Sequence, residues 1–166
     1  MRLTILFALL AGAVAARAQT AVIVGVRNLV VLELTAGAKD GCGPLKLDFV
    51  RSFPDGTAAS EPFRVPPGRV LIVTDVDWHY YSGGPNLVQV LQLAVQNLGD
   101  AAKVRRVFES SIRLNTAGVG GTSEHMTTGF ALSSQARICA DVIPGPLGSP
   151  MRLSRILLRG YLVDEE

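Results

Sequence analysis

RVLIVTDVDWHYY, running from Arg69 to Tyr81, is the longest strand-forming stretch of the chain and decides its fold class. Val, Ile, Thr and aromatic residues dominate it, and such stiff or flat side chains pack well on a pleated sheet. Successive side chains on a strand point to opposite faces. Asp75, Asp77, His79 and Tyr81 therefore form one row, and Val76, Trp78 and Tyr80 the other. Burying two carboxylates without partners costs several kcal/mol. The charged row is thus expected to face away from the core, with Val76 and Trp78 facing into it. Carried back along the strand, the same alternation puts Val70 and Ile72 on the core side and Leu71 and Val73 on the charged side.

Outward from this stretch the pattern repeats. Ala21 to Val26 and Leu29 to Leu34 are dense in Val, Ile and Leu, and Leu45, Leu47 and Phe49 alternate with Lys46, Asp48 and Val50. Ser52 to Ser60 reads as a polar loop around the turn Pro54-Asp55-Gly56, followed by a short strand at Phe63 and Val65 that Pro66-Pro67-Gly68 stops. Asn86 to Leu98 fits two periods. Leu87, Val90, Leu91, Ala94 and Leu98 make a helical stripe, whereas Leu91, Leu93 and Val95 alternate as in a strand. A turn at Gly99-Asp100 leading into the strand-like run Lys103 to Leu114 favours a hairpin. Residues 117–129 are glycine-rich at first, and Gly129 to Ala131, Arg137 to Ile143 and Leu153 to Val163 complete the strands. Turn signals recur about every 8–15 residues, the spacing of an all-β sandwich. The expectation is a single antiparallel β-sandwich over residues 19–166, jelly-roll-like, with about eight strands.

Residues 1–18 read as an export signal. Arg2 precedes the uncharged run LTILFALLAGAVAA, and Ala16-Arg17-Ala18 offers small residues where a signal peptidase reads them. The run falls short of the roughly 20 residues that span a bilayer as a helix. A mature chain starting near Gln19, secreted or periplasmic and without a transmembrane segment, is expected. The signal also distorts the bulk properties, a mean hydropathy of +0.32 and a net charge of +2 over 166 residues. Without Arg2 and Arg17 the 16 basic residues become 14, equal to the 14 acidic ones. A neutral chain lacks the positive field that non-specific nucleic-acid binding needs. Cys42 and Cys139 are the two cysteines of the chain. In an oxidising compartment their pairing is the default expectation.

The chemistry is concentrated in TDVDWH. Asp75, Asp77 and His79 on one strand face offer oxygen and nitrogen donors to a divalent ion, and Glu124 and His125 are further donors if their segment folds close. The row resembles the metal-bearing strand of cupin-like jelly rolls, which implies a metal-binding protein or metalloenzyme. Cupins place two histidines two apart and a glutamate soon after. Here those positions hold Asp75 and Asp77, and no glutamate comes before Glu109. Against this stands the plainer possibility of a solvated polar sheet face. Tyr81, on the same face, is the aromatic best placed to stack on a sugar or anchor a protein. Gly121-Thr122-Ser123-Glu124-His125 lacks the closing glycine of a nucleophile elbow, and no Walker loop or dinucleotide fingerprint occurs. Arg105, Arg106, Arg152, Arg155 and Arg159 read as solvated strand edges, where charge prevents pairing between molecules.

Two functions follow. The first is an exported, non-catalytic domain that binds an unidentified ligand or protein, or forms a homo-oligomer, through one sheet face. The second is a metal site at Asp75, Asp77 and His79.

Overall fold

The computed structural model describes residues 25–35, 49–144 and 155–165. After a single 3-10 turn (Val26–Asn28), nine strands follow among them: β1 (Leu29–Thr35), β2 (Val50–Ser52), β3 (Ala58–Pro62), β4 (Arg69–Tyr80), β5 (Val88–Asn97), β6 (Val104–Arg113), β7 (Gly120–Ser133), β8 (Ala136–Pro144) and β9 (Arg155–Asp164). They form two antiparallel sheets, a large one in the order β3-β2-β1-β9-β4-β7 and a small one in the order β6-β5-β8. The long-range returns, β9 between β1 and β4 and β8 beside β5, give the crossed connectivity of a jelly roll. The fold is an all-β sandwich. No helix among the described residues is long and apolar enough to cross a membrane.

The core lies between the sheets. Val76, Trp78, Tyr80, Leu91, Leu93 and Ile156 are fully buried there, joined by Val30, Leu32, Leu71, Val73 and Leu158. Asn86 to Leu98 resolves as strand: the buried residues of β5 start as alternate positions, Gln89, Leu91 and Leu93. A helical stripe would have buried Leu87 and Val90, which are only half-buried.

One departure from plain alternation controls the central strand. Val76, Trp78 and Tyr80 face the core as expected, but so do Leu71 and Val73, whereas Val70 and Ile72 are only half-buried. Between Val73 and Asp75 the register jumps against both neighbours. Against β9 Thr74 is the extra residue, a β-bulge, whereas against β7 the extra residues lie on β7, where Met126 to Gly129 stand opposite Thr74 alone. A single extra residue puts the two halves of a strand out of step, because side chains alternate with a period of two. Glycines flank the bulge on both sides. A Cβ on Gly160 of β9 would overlap the Ile72 carbonyl oxygen. One on Gly129 of β7, whose φ is +65°, would overlap that of Val73. The β4 backbone approaches both neighbours too closely for any side chain there.

Other expectations shift for physical reasons. The turn at Pro54-Asp55-Gly56 exists: Phe53 N–H donates to the Thr57 carbonyl at 2.8 Å, and the Asp55 carboxylate accepts from the Thr57 N–H at 2.9 Å. It joins a hairpin, though, so the strand Ala58–Pro62 starts inside the expected loop, at Ala58 to Ser60, and Phe63 and Val65 lie beyond any strand. Residues 117–129 are mostly the first part of β7. Val26 belongs to the 3-10 turn, while Ala21 to Val24 and Leu45 to Asp48 lie outside the described residues. Arg155 and Arg159 sit on β9, which is an inner strand and not a solvated edge.

Candidate functional site

Beyond the bulge, the outer face of the large sheet carries the charged row. Thr74 also anchors it: its hydroxyl donates to Asp75 Oδ2 at 2.7 Å. That bond holds the Asp75 carboxyl below its ordinary value of 3.8, against an opposing desolvation and with help from His125. Asp75 pairs in register with His125 of β7, and the two side chains meet, Asp75 Oδ1 to His125 Nδ1 at 2.9 Å. His125 is oriented through Nδ1 in this way while its side chain stays 70% exposed.

The neighbouring positions form a grid. Asp77 lies opposite Ser123 of β7, whose hydroxyl donates to Asp77 Oδ1. Asp77 Oδ2 pairs with the Arg159 guanidinium, which reaches it diagonally across β9. One strand further, Arg155 Nε lies 3.2 Å from Glu33 Oε1 of β1, and the Ser52 hydroxyl of β2 donates to Glu33 Oε2 at 3.3 Å. Each carboxylate faces a cation or a hydroxyl on the next strand. Such cross-strand pairs contribute about 0.2–1 kcal/mol each on a half-exposed face. Their larger effect is to fix the side chains in place. At the end of the row the His79 and Tyr81 rings stack edge to face, centroids 4.7 Å apart, and Tyr81 is 67% exposed.

Glu124 is on the other side of the sheet. It lies opposite Val76, faces inward and accepts a hydrogen bond from the Ser110 hydroxyl of β6, which itself accepts from Trp78 Nε1 at 3.2 Å. This relay ties β4 and β7 of the large sheet to β6 of the small one. The five residues singled out as donors therefore do not converge. Asp75 meets His125, Asp77 meets Ser123 and Arg159, His79 meets Tyr81, and Glu124 is turned away. Among the described residues no group of three His, Cys, Asp or Glu side chains is arranged to hold an ion. Cys139 is buried on β8, while Cys42 lies outside the described residues.

Thr74, Ser123, Arg155 and Arg159 were not singled out for this face. Thr74 joins it through the bulge and the others through the choice of neighbouring strands; only Arg155 and Arg159 left a visible trace, as a basic series with Arg152. A separate groove of about 500 Å³ opens between β6 and β7, floored by Val95, Val107 and Phe130 and rimmed by Arg105 and Arg106. None of the expected site residues lines it, and Arg106 is already held by Glu109 at 2.8 Å. Compared with known proteins, the chain matches no family model and no curated protein sequence.

Proposed function

We propose that this is an exported, non-catalytic β-sandwich domain that binds through the outer face of its large sheet. The observation that carries this reading is the cross-strand grid. Asp75, Asp77 and Glu33 are held by His125, Arg159, Ser123, Arg155 and Ser52, next to the exposed Tyr81 ring. Fixed donors and acceptors beside an aromatic edge suit a ligand rich in hydroxyls, because such a ligand loses little by meeting groups that are already ordered. Export rests on residues 1–18 and lies outside the described structure. The test is NMR titration of the purified protein with a panel of neutral oligosaccharides, mapped on the amides of β4, β7 and β9. Shifts centred on His79, Tyr81 and Ser123, weakened by Tyr81→Ala, support the reading. Shifts centred on the β6–β7 groove refute it. Elemental analysis of the same sample tests the other reading, in which the oriented His125 and Asp75 form half of a metal site. One divalent ion per chain, lost in Asp75→Ala, would favour it.

A further inference from the structure

The two sheets have four edges, and their sequences are guarded unequally. β3 is short and contains Glu61 and Pro62. β6 carries Arg105, Arg106, Glu109 and Arg113, and β8 carries Arg137, Asp141 and Pro144. Charge, proline and shortness are the devices that keep sheet edges from pairing with another molecule. β7 has none of them. It runs for 14 residues as GGTSEHMTTGFALS, without lysine, arginine or proline. Its two ionisable side chains are occupied within the chain, Glu124 by Ser110 and His125 by Asp75. From Gly120 to His125 it pairs with β4 in unbroken register, so this part of the edge is straight, and the irregularity against β4 begins only after His125. Among the described residues its other side pairs with no strand.

We infer that β7 is a self-association edge, at which a second copy of this chain pairs antiparallel and joins the two large sheets into one. The sequence of the strand favours a copy of itself as the occupant. With the two-fold axis at Ser123, Glu124 comes opposite Thr122, and His125 comes opposite Gly121. No like charges oppose one another. Neutral Ser and Thr pairs across a ladder contribute favourably. The contact is made by the backbone edge of β7, so the dimer can form whether or not the outer face binds a ligand.

Sedimentation equilibrium of the purified protein at sub-millimolar concentration should give the mass of a dimer. Ser123→Lys sets two ammonium groups against each other at the axis and should weaken the dimer roughly tenfold or more, whereas Ser123→Ala, which loses the same hydroxyl bond to Asp77 without adding charge, should leave the dimer in place. Hydrogen exchange of the unaltered protein provides a second readout that needs no variant: slower exchange at higher concentration, confined to amides of residues 120–126. A protein that stays monomeric overturns the inference. So does a dimer whose concentration-dependent protection falls on β6, β8 or the outer face.

Discussion

Deleting one residue from the middle of a central strand normally destroys a sheet protein, yet removal of Thr74 should be tolerated. Thr74 is the extra residue of the bulge, and β9 already pairs Val73 and Asp75 with consecutive residues, Gly160 and Arg159. Without Thr74 the strand becomes a regular ladder with β9, in which Val73 still faces in, Asp75 out and Val76 in, while on the other side Met126 to Gly129 of β7 go on looping out between His125 and Phe130. The loss is mainly the hydroxyl bond to Asp75, on the order of 1 kcal/mol. Deleting Asp77 is the control, and its cost can be bounded. One outcome turns Trp78 and Tyr80 outward, and large aromatic truncations in cores cost about 3–5 kcal/mol each. The other draws Thr74 into the ladder. Trp78 keeps its place, but the Asp75 carboxylate enters the fully buried position of Val76, and Val76 goes outside. An unpaired buried carboxylate plus a lost valine amounts to roughly 5 kcal/mol or more. The chain adopts the cheaper outcome, and even that is comparable with the whole stability of a typical domain, about 5–15 kcal/mol. Urea unfolding followed by the fluorescence of Trp78, the single tryptophan, measures both variants. If the Thr74 deletion proves as damaging as the Asp77 deletion, the bulge has been misplaced.

Trp78→Ala should cost about 3–5 kcal/mol, and Asp77→Ala, whose ion pair is with a half-exposed Arg159, about 1 kcal/mol or less; the same urea titrations rank them, and the reverse order would mean that the strand is inside out. The carboxyl of Asp75 is held below its ordinary value of 3.8, so its contribution to stability is present at neutral pH. That contribution is lost as pH falls from 3.8 through the lowered value. Thr74→Val should raise the Asp75 pKa in an NMR titration, because the hydroxyl bond is the largest cause of the shift, and an unmoved pKa would show that another group holds it down. Cys42 and Cys139 should be joined in exported protein, which should begin near Gln19. Intact-mass and non-reducing peptide analysis check both at once, and two titratable thiols per chain would refute the pairing.

How much of this was legible in the sequence depended on burial. β4, β5, β6, β8 and β9 each bury an apolar row, and each was visible as alternating or continuous Val, Ile, Leu and Phe. β3 and the first half of β7 bury little and showed mainly turn-formers and small polar residues, so Ala58 to Ser60 passed for loop and Gly120 to Thr128 did not stand out as strand. A strand exposed at a sheet edge has its backbone fixed by a neighbour and not by its own side chains, and no local pattern records that. The bulge was hidden for a related reason. Leu71, Val73, Val76 and Trp78 are all apolar, and so are Val70 and Ile72, so either parity could be assigned to the first half of β4. Only the glycines that give way to it, Gly129 and Gly160, mark the place, and they lie 55 and 86 residues downstream of Thr74. The outer face shows the same limit from the functional side. Asp75, Asp77 and His79 stood out because they are two apart on one strand, which suggested a shared ligand. Their actual partners, His125, Ser123, Arg159 and Tyr81, are three other strand residues and the one that follows β4. On a sheet, the neighbours across the ladder lie nearer than those along the strand. A row of donors along one strand is therefore more readily satisfied pair by pair from the adjacent strands than gathered around one ion, and the grid on this face is arranged in that way.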